Sequence, residues 1–490
     1  RMLFNSIHFL IFFPIVTTLY FLSPQKYRWM LLLGASCYFY MAFIPAYILI
    51  LAITIVIDYF AGILIEKAEG KQKRKYLVMS IISLCLVLFV FKYFNFVNQN
   101  LAALSELFYV EYPISNLGLI LPIGLSFHTF QSLSYVVEVY RGKQKAERHF
   151  GLYSLYVMFY PQLVAGPIER PQQLLYQFYE HHKFDYRRIT DGLKLMTWGM
   201  FKKVVIADRL AVFVNQVYDN PQNYDGFSNV IATVFFAFQI YCDFSGYSDI
   251  AIGSAQVMGF KLMQNFNRPY LSKSISEFWK RWHISLSTWF KDYLYIPLGG
   301  NKVPIPRWYF NLFITFLVSG LWHGANWTFV IWGALHGTYL IISIITRKFR
   351  ANVVDAIGLN RHKTLHRFIQ TMITATLVCI SWIFFRAMNL SDAITIFKGM
   401  FTGIGNIVQV FGPERSHVLY LDRNLFDFSV CIFLILFLGL VELIQRRGSI
   451  IEMLNKKPPV YRWALYYLIL IVILLFGQYE ISQRFIYFQF

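Results

Sequence analysis

Phe310 to Thr346 reads FNLFITFLVSGLWHGANWTFVIWGALHGTYLIISIIT. No Lys, Arg, Asp or Glu interrupts the stretch, yet it carries His323 and His336. A bilayer span needs roughly 20 mostly apolar residues. The stretch divides at Gly324 into a short apolar segment, 309–322, and a full one, 327–346. It therefore reads as membrane helix. An ionisable group at membrane depth is costly, so a histidine there is a functional hypothesis by default.

The rest of the chain agrees with this reading. Its 490 residues are 57% hydrophobic, 19% aromatic and only 14% charged, whereas a soluble domain is about 45–50% apolar and about 25% charged. Apolar segments fall at about 3–22, 28–44, 46–65, 76–96, 117–140, 149–165 and 226–242, then at 309–322, 327–346, 367–387, 427–445 and 462–480. The expectation is an all-α polytopic integral membrane protein with about eleven transmembrane helices plus re-entrant or amphipathic ones. These form one integral domain over 1–490, its motif-bearing core at about 117–346. Leu3–Leu22 lacks a basic leading region and an A-x-A cleavage signal, so it reads as a retained helix.

The net charge of +19 does not point to nucleic acid, because the basic residues cluster in short loops between apolar segments. Lys and Arg in such loops mark the cytoplasmic side. The loops Glu66–Lys75, Arg141–Arg148, Arg347–Arg367 and Arg446–Arg462 fix the orientation, and counting spans from them places both termini outside. Cys37, Cys85, Cys242, Cys379 and Cys431 lie in or beside apolar segments without metal-ligand spacing. Neither a disulfide framework nor a metal site is indicated.

Two regions depart from plain apolar helix. From Pro161 to Asp208, Pro161, Pro167 and Pro171 interrupt the chain, and His181-His182-Lys183 and Arg187-Arg188 are polar. Broken backbone is tolerated at membrane depth only where protein or water supplies partners, so this region reads as cytoplasmic-side and partly re-entrant. From Ser274, the spacing to Glu277 marks a capped helix start. Ile275, Phe278, Trp279, Trp282, Leu286, Trp289, Phe290 and Tyr293 then form one apolar stripe. The expectation is a single amphipathic helix, ended by Pro297 and Gly299-Gly300, lying at an interface or lining a water-filled cavity.

Of eleven histidines, His149, His181, His182, His362, His366 and His417 sit in polar contexts and read as solvated. His8 and His128 lie in apolar helices and read as helix-to-helix hydrogen-bonding residues. His283 borders the aromatic stripe. His323, in its uncharged segment, has the neutral imidazole that a general base requires; the competing reading is a structural histidine bonded to a carbonyl at a helix break near Gly324. His336 lies about 220° from His323 around an ideal helix, so the two are not expected to share a face. No nucleophile elbow, phosphate loop or dinucleotide fingerprint accompanies these residues. A hydroxyl attacking directly with help from histidine fits better than a covalent triad.

At these residues the sequence resembles the membrane-bound O-acyltransferases, and within them the bacterial branch that modifies alginate and teichoic acid. The resemblance rests on Pro122-Ile123-Gly124-Leu125-Ser126-Phe127, on Tyr160 to Ile168 (YPQLVAGPI), on Tyr241 to Asp249 (YCDFSGYSD), on Arg281-Trp282-His283-Ile284-Ser285-Leu286-Ser287 and on Leu321-Trp322-His323-Gly324. It implies tilted helices in a ring around a central tunnel, with His323 catalytic and His283 assisting. The implied acyl donor is a cytoplasmic thioester such as acetyl-CoA or an acyl carrier, used as a co-substrate and not held permanently.

The expected function is transfer of an acyl group, acetyl by the resemblance, to a hydroxyl on the outer side, for O-acetylation of an extracytoplasmic polysaccharide. Trp279, Arg281, Trp282, Trp322 and Asn326 are the candidate substrate-binding residues. Asn326 and Trp322 are also candidate donors to the oxyanion. Expected partners are an extracytoplasmic acetyltransferase or esterase-like protein, the polysaccharide and membrane lipid, in a bacterial inner membrane. A transporter without transferase chemistry competes, although no paired repeats with broken helices are evident. So does an acyltransferase with a lipid or protein acceptor.

Overall fold

The computed structural model describes residues 2–164, 166–402, 415–479 and 485–486. Arg1, Ala165 and Phe490, which enter the motifs and the topology above, lie outside the described residues. All regular structure among the described residues is helical. Among the described residues, seven helices are long and apolar enough to cross a membrane by length and composition: Pro45–Lys67, Gly70–Leu107, Gly226–Met258, Trp327–Ile345, Lys363–Arg386, Leu425–Gln445 and Pro459–Phe476. The other expected spans fall on different elements, among them the shorter apolar helix Ile7–Leu22 and the helices Gln25–Met41 and Ile305–His323. The chain groups into two compact units, Arg1–Met196 with Tyr247–Gln264, and Thr197–Gly246 with Asn265–Phe490.

In the first unit, Gly70–Leu107 runs for 38 residues, about 57 Å at 1.5 Å per residue, with a wide turn at Phe89–Tyr93. The chain then returns without helix. Asn95 brackets this return, accepting from the Leu117 N–H at 2.8 Å and donating to its carbonyl at 2.9 Å. The expected span 117–140 is therefore helical only over Leu125–Tyr140, starting after Gly124 at φ +76°. That glycine has no room for a Cβ, because the Leu163 carbonyl oxygen would lie 2.5 Å away. The resulting helix is buried along nearly its whole length.

The expected span 149–165 is likewise split, into Phe150–Met158 and Tyr160–Leu163. Pro161 cannot donate in a continuing helix, and protein groups take the partners this break releases. The Tyr156 carbonyl accepts from Gln131 at 2.5 Å and from Gln162 at 2.6 Å. The basic loops 66–75 and 141–148 meet. The Glu66 carboxylate accepts from the Ala146 N–H at 2.8 Å and pairs with Arg148. His128 reaches Thr54 Oγ1 of another helix at 3.4 Å, as read from its apolar setting. His149 is not simply solvated, since its Nδ1 caps a helix by accepting from the Leu152 N–H at 3.1 Å.

The second unit holds α1 (Ile275–Arg281), α2 (Ile284–Phe290), α3 (Ile305–His323), α4 (Trp327–Ile345) and α5 (Lys363–Arg386). The helices α3 and α4 form a tight hairpin because glycines meet across it. A Cβ on Gly320 would lie 2.3 Å from the Phe329 carbonyl oxygen, and one on Gly333 2.3 Å from that of Phe316. Small residues that let helix backbones touch are a recurrent membrane packing device. Elsewhere in this unit, Lys203 is buried between two carboxylates, Asp208 at 2.8 Å and Asp243 at 2.5 Å. Breaking such a buried set by removing one partner is more costly than never having built it.

Candidate active site

The stretch from Ser274 is not one helix. Ser274 does cap its start, accepting from the Glu277 N–H at 3.1 Å, while Glu277 reaches back to the Lys273 N–H at 2.8 Å. The helix then stops at Trp282, and His283 sits in the left-handed region at φ +43°, ψ +55°. That conformation is uncommon for a residue with a Cβ and persists only where surroundings impose it. Here the loop Asn265–Asn267 imposes it. The Asn265 carbonyl accepts from the Ile284 N–H and the Arg281 carbonyl from the Asn267 N–H, both at 2.9 Å. The Asn265 side chain also accepts from Ser285, from its N–H at 3.2 Å and its hydroxyl at 2.7 Å. A helix running through these residues would have needed those same backbone groups for itself.

The second break lies between α3 and α4. Gly324 is extended at φ −163°, and a Cβ on it would strike the Phe329 ring at 2.2 Å. Asn326 caps α4 by accepting from the Thr328 N–H at 3.1 Å. Its amide also donates to the Met388 carbonyl at 3.1 Å.

Each break presents a buried histidine, and both histidine rings meet one tryptophan. Trp322 lies 6.3 Å from His283 and 4.9 Å from His323, centroid to centroid. His283 is completely buried, with Phe244 set edge-on at 4.6 Å. Phe485, near the end of the chain, packs behind Phe244 at 5.7 Å. The adjacent Ile486 N–H donates to Asp243 at 2.8 Å. His323 continues the aromatic row through Trp332 at 4.9 Å and Phe385 at 5.4 Å.

The other sequence candidates fall in different places. Trp322 meets both histidine rings, while Trp282 and Trp279 have other partners. The Trp282 ring stacks on Phe278 at 5.5 Å and meets Trp382 at 5.0 Å. Trp279 belongs with His336, donating from Nε1 to its Nδ1 at 3.2 Å. Arg281 pairs along its own helix with Glu277 at 2.7 Å. Burial alone would raise the Glu277 carboxyl, yet the Lys273 N–H and Arg281 hold it below its ordinary value. Asn326 uses its amide oxygen and one N–H on the break, which gives it a capping role. His336 corrects a further expectation. The 220° offset presumes a continuous helix from His323, but the helix breaks at Gly324, and both rings pack against Trp332, His336 at 5.1 Å.

Sequence reasoning overlooked Asn265, Phe244, Trp332 and Phe385 as neighbours of the histidines. Phe244 was visible within the motif Tyr241–Asp249. No local signal marks Asn265, whose partners lie about 20 residues onward.

The chain is similar to known proteins over most of its length. Residues 148–374 match the family model described as MBOAT, membrane-bound O-acyltransferase family. A protein of Azotobacter vinelandii named "Probable alginate O-acetylase AlgI" is 41% identical over 406 residues, covering 82% of this chain and 78% of the relative. A peptidoglycan O-acetyltransferase of Helicobacter pylori is 36% identical over 440 residues, 81% of this chain and 80% of the relative. A teichoic acid D-alanyltransferase of Streptococcus thermophilus is 29% identical over 234 residues, 45% of this chain and 56% of the relative.

Proposed function

This chain belongs to the membrane-bound O-acyltransferase family, and from that premise we propose that it moves an acetyl group from a cytoplasmic thioester to a hydroxyl of an extracytoplasmic polysaccharide. That it is a multi-pass membrane protein and an O-acyltransferase follows from the family; the donor, the direction and the acceptor are the proposal. The observation that carries it is the meeting of two histidines, from separate helix breaks, on the ring of Trp322.

In this reading His323 removes the proton of the acceptor hydroxyl, and the resulting oxygen attacks the thioester carbonyl. His283 orients the acceptor or the base. General base help of this kind contributes roughly 10²–10⁴-fold. The relatives named for O-acetylation of alginate and of peptidoglycan support a surface polymer as the acceptor. A thioester carrier such as coenzyme A is too polar to cross lipid, so the histidines would be reached from both membrane faces through a tunnel. The basic loops would face the cytoplasm, both termini would lie outside, and the membrane would be a bacterial inner one. An extracytoplasmic acetyltransferase or esterase-like protein would relay the group to the polymer.

The test is transfer of labelled acetyl from acetyl-CoA by the purified protein, with and without polysaccharide or partner. Covalent label on either acceptor that vanishes in His323→Ala supports the proposal. Label that crosses a proteoliposome membrane without ever being bonded to an acceptor would mean transport instead.

A further inference from the structure

Two buried donors on α4, the helix that follows His323, have no acceptor among the described residues: Trp332 Nε1 and His336 Nε2. Both side chains are completely buried. Buried polar groups are nearly always hydrogen-bonded, so each exception calls for an explanation. The two lie four residues apart on α4, on one helix face, with ring centroids 5.1 Å apart. Trp332 in turn meets His323 edge-on, at 4.9 Å and 87°.

The proton on His336 can be placed. Its Nδ1 accepts from Trp279 Nε1–H at 3.2 Å. A neutral imidazole that accepts at Nδ1 carries its hydrogen on Nε2. Trp332 offers only an N–H. The site thus holds two neutral donors, surrounded by the rings of Phe278, Phe316, Trp382 and Phe385. Neutral donors among aromatic rings suit a neutral oxygen that gains charge only during reaction. A phosphate or carboxylate would bring a full charge into the same setting at far higher cost.

We propose that Trp332 and His336 donate to the carbonyl oxygen of the acyl group during its transfer at His323. The inference rests on the acyltransferase reading above. His323 takes the proton of the acceptor hydroxyl as the new C–O bond forms. The carbonyl oxygen becomes an oxyanion and receives the two N–H donors. The C–S bond then breaks, and the departing sulfur leaves as a thiol with the proton that His323 held. Donors aimed at developing charge act on the chemical step more than on substrate binding.

Trp332→Phe removes one N–H and keeps a ring, so kcat for acetyl transfer from acetyl-CoA should fall about 10²-fold or more while KM for acetyl-CoA stays near wild type. For His336 the discriminating pair is His336→Gln against His336→Asn. Glutamine restores a donor near Nε2, whereas asparagine restores only the acceptor for Trp279. The proposal expects Gln to retain more kcat than Asn; a purely structural histidine, needed to accept from Trp279, expects the reverse. If Trp332→Phe does not fold, as judged by its melting profile, the His336 pair decides alone. Wild-type kcat in Trp332→Phe, or Asn outperforming Gln, overturns this inference, provided that His323→Ala is inactive. A wild-type protein that transfers no acyl group, or an active His323→Ala, overturns the acyltransferase mechanism and this inference together.

Discussion

The two helix breaks that present His283 and His323 do the same work by different means. The break at His323 is local: Gly324 supplies the extended turn, Asn326 caps the next helix, and glycines at 320 and 333 draw the two helices together. The break at His283 contains no glycine or proline. It exists because a loop from about 20 residues upstream takes hydrogen-bonding groups that the helix would otherwise use. The first is a property of neighbouring residues. The second is a property of the fold, and it holds a histidine in a backbone conformation its own side chain disfavours.

The largest loss is expected at the reactive histidine. His323→Ala should abolish transfer, by roughly 10²–10⁴-fold, with insertion and melting profile unchanged. A well-expressed variant working at the wild-type rate would remove His323 from the chemistry. His283 should show a severe but partial loss, with His283→Gln retaining more activity than His283→Ala because an amide can still orient a hydroxyl. His283→Gly sharpens the point: glycine is at ease at φ +43°, so this variant should melt no earlier than His283→Ala while remaining impaired. A glycine variant that melts earlier than His283→Ala would mean that this backbone conformation costs a residue with a Cβ nothing.

The stabilising groups come next, in order of size. Asn265→Ala leaves the buried Ser285 N–H and hydroxyl without the side-chain oxygen they share, a loss of about 1–3 kcal/mol per group left unsatisfied. It should lower both thermal stability and activity, because the backbone at His283 is released. Asn326→Ala removes a helix cap worth about 1 kcal/mol, and its effect should be the smallest, a modest drop in melting temperature with transfer largely kept. If Asn326→Ala costs as much activity as Asn265→Ala, the contrast between a local and an imposed break fails.

Much of the architecture is legible in the sequence, because burial in lipid constrains composition so strongly. The uncharged run from Phe310 to Thr346, the helix start at Ser274 and the exceptional setting of His323 are all local facts of residue chemistry. The spans at 117–140 and 149–165 come out too long because apolar content does not locate the point where a helix starts or breaks: 117–120 is exposed non-helical chain ahead of Gly124, and Phe150–Met158 ends just before Pro161. Leu125–Tyr140 is apolar and polar by turns because protein surrounds it.

The candidate site divides in the same way. Sequence alone singled out His323, His283 and Trp322, since histidine and tryptophan are conspicuous in uncharged apolar sequence. Tertiary structure decided which rings meet. It moved Trp279 to His336, committed Arg281 to Glu277 and Asn326 to its cap, and brought His336 within one tryptophan of His323. The physical reason is that periodicity fixes which residues share a face only while the helix continues. At both histidines the helix stops, and from there the partners are chosen by hydrogen bonds and close packing between segments far apart in the chain.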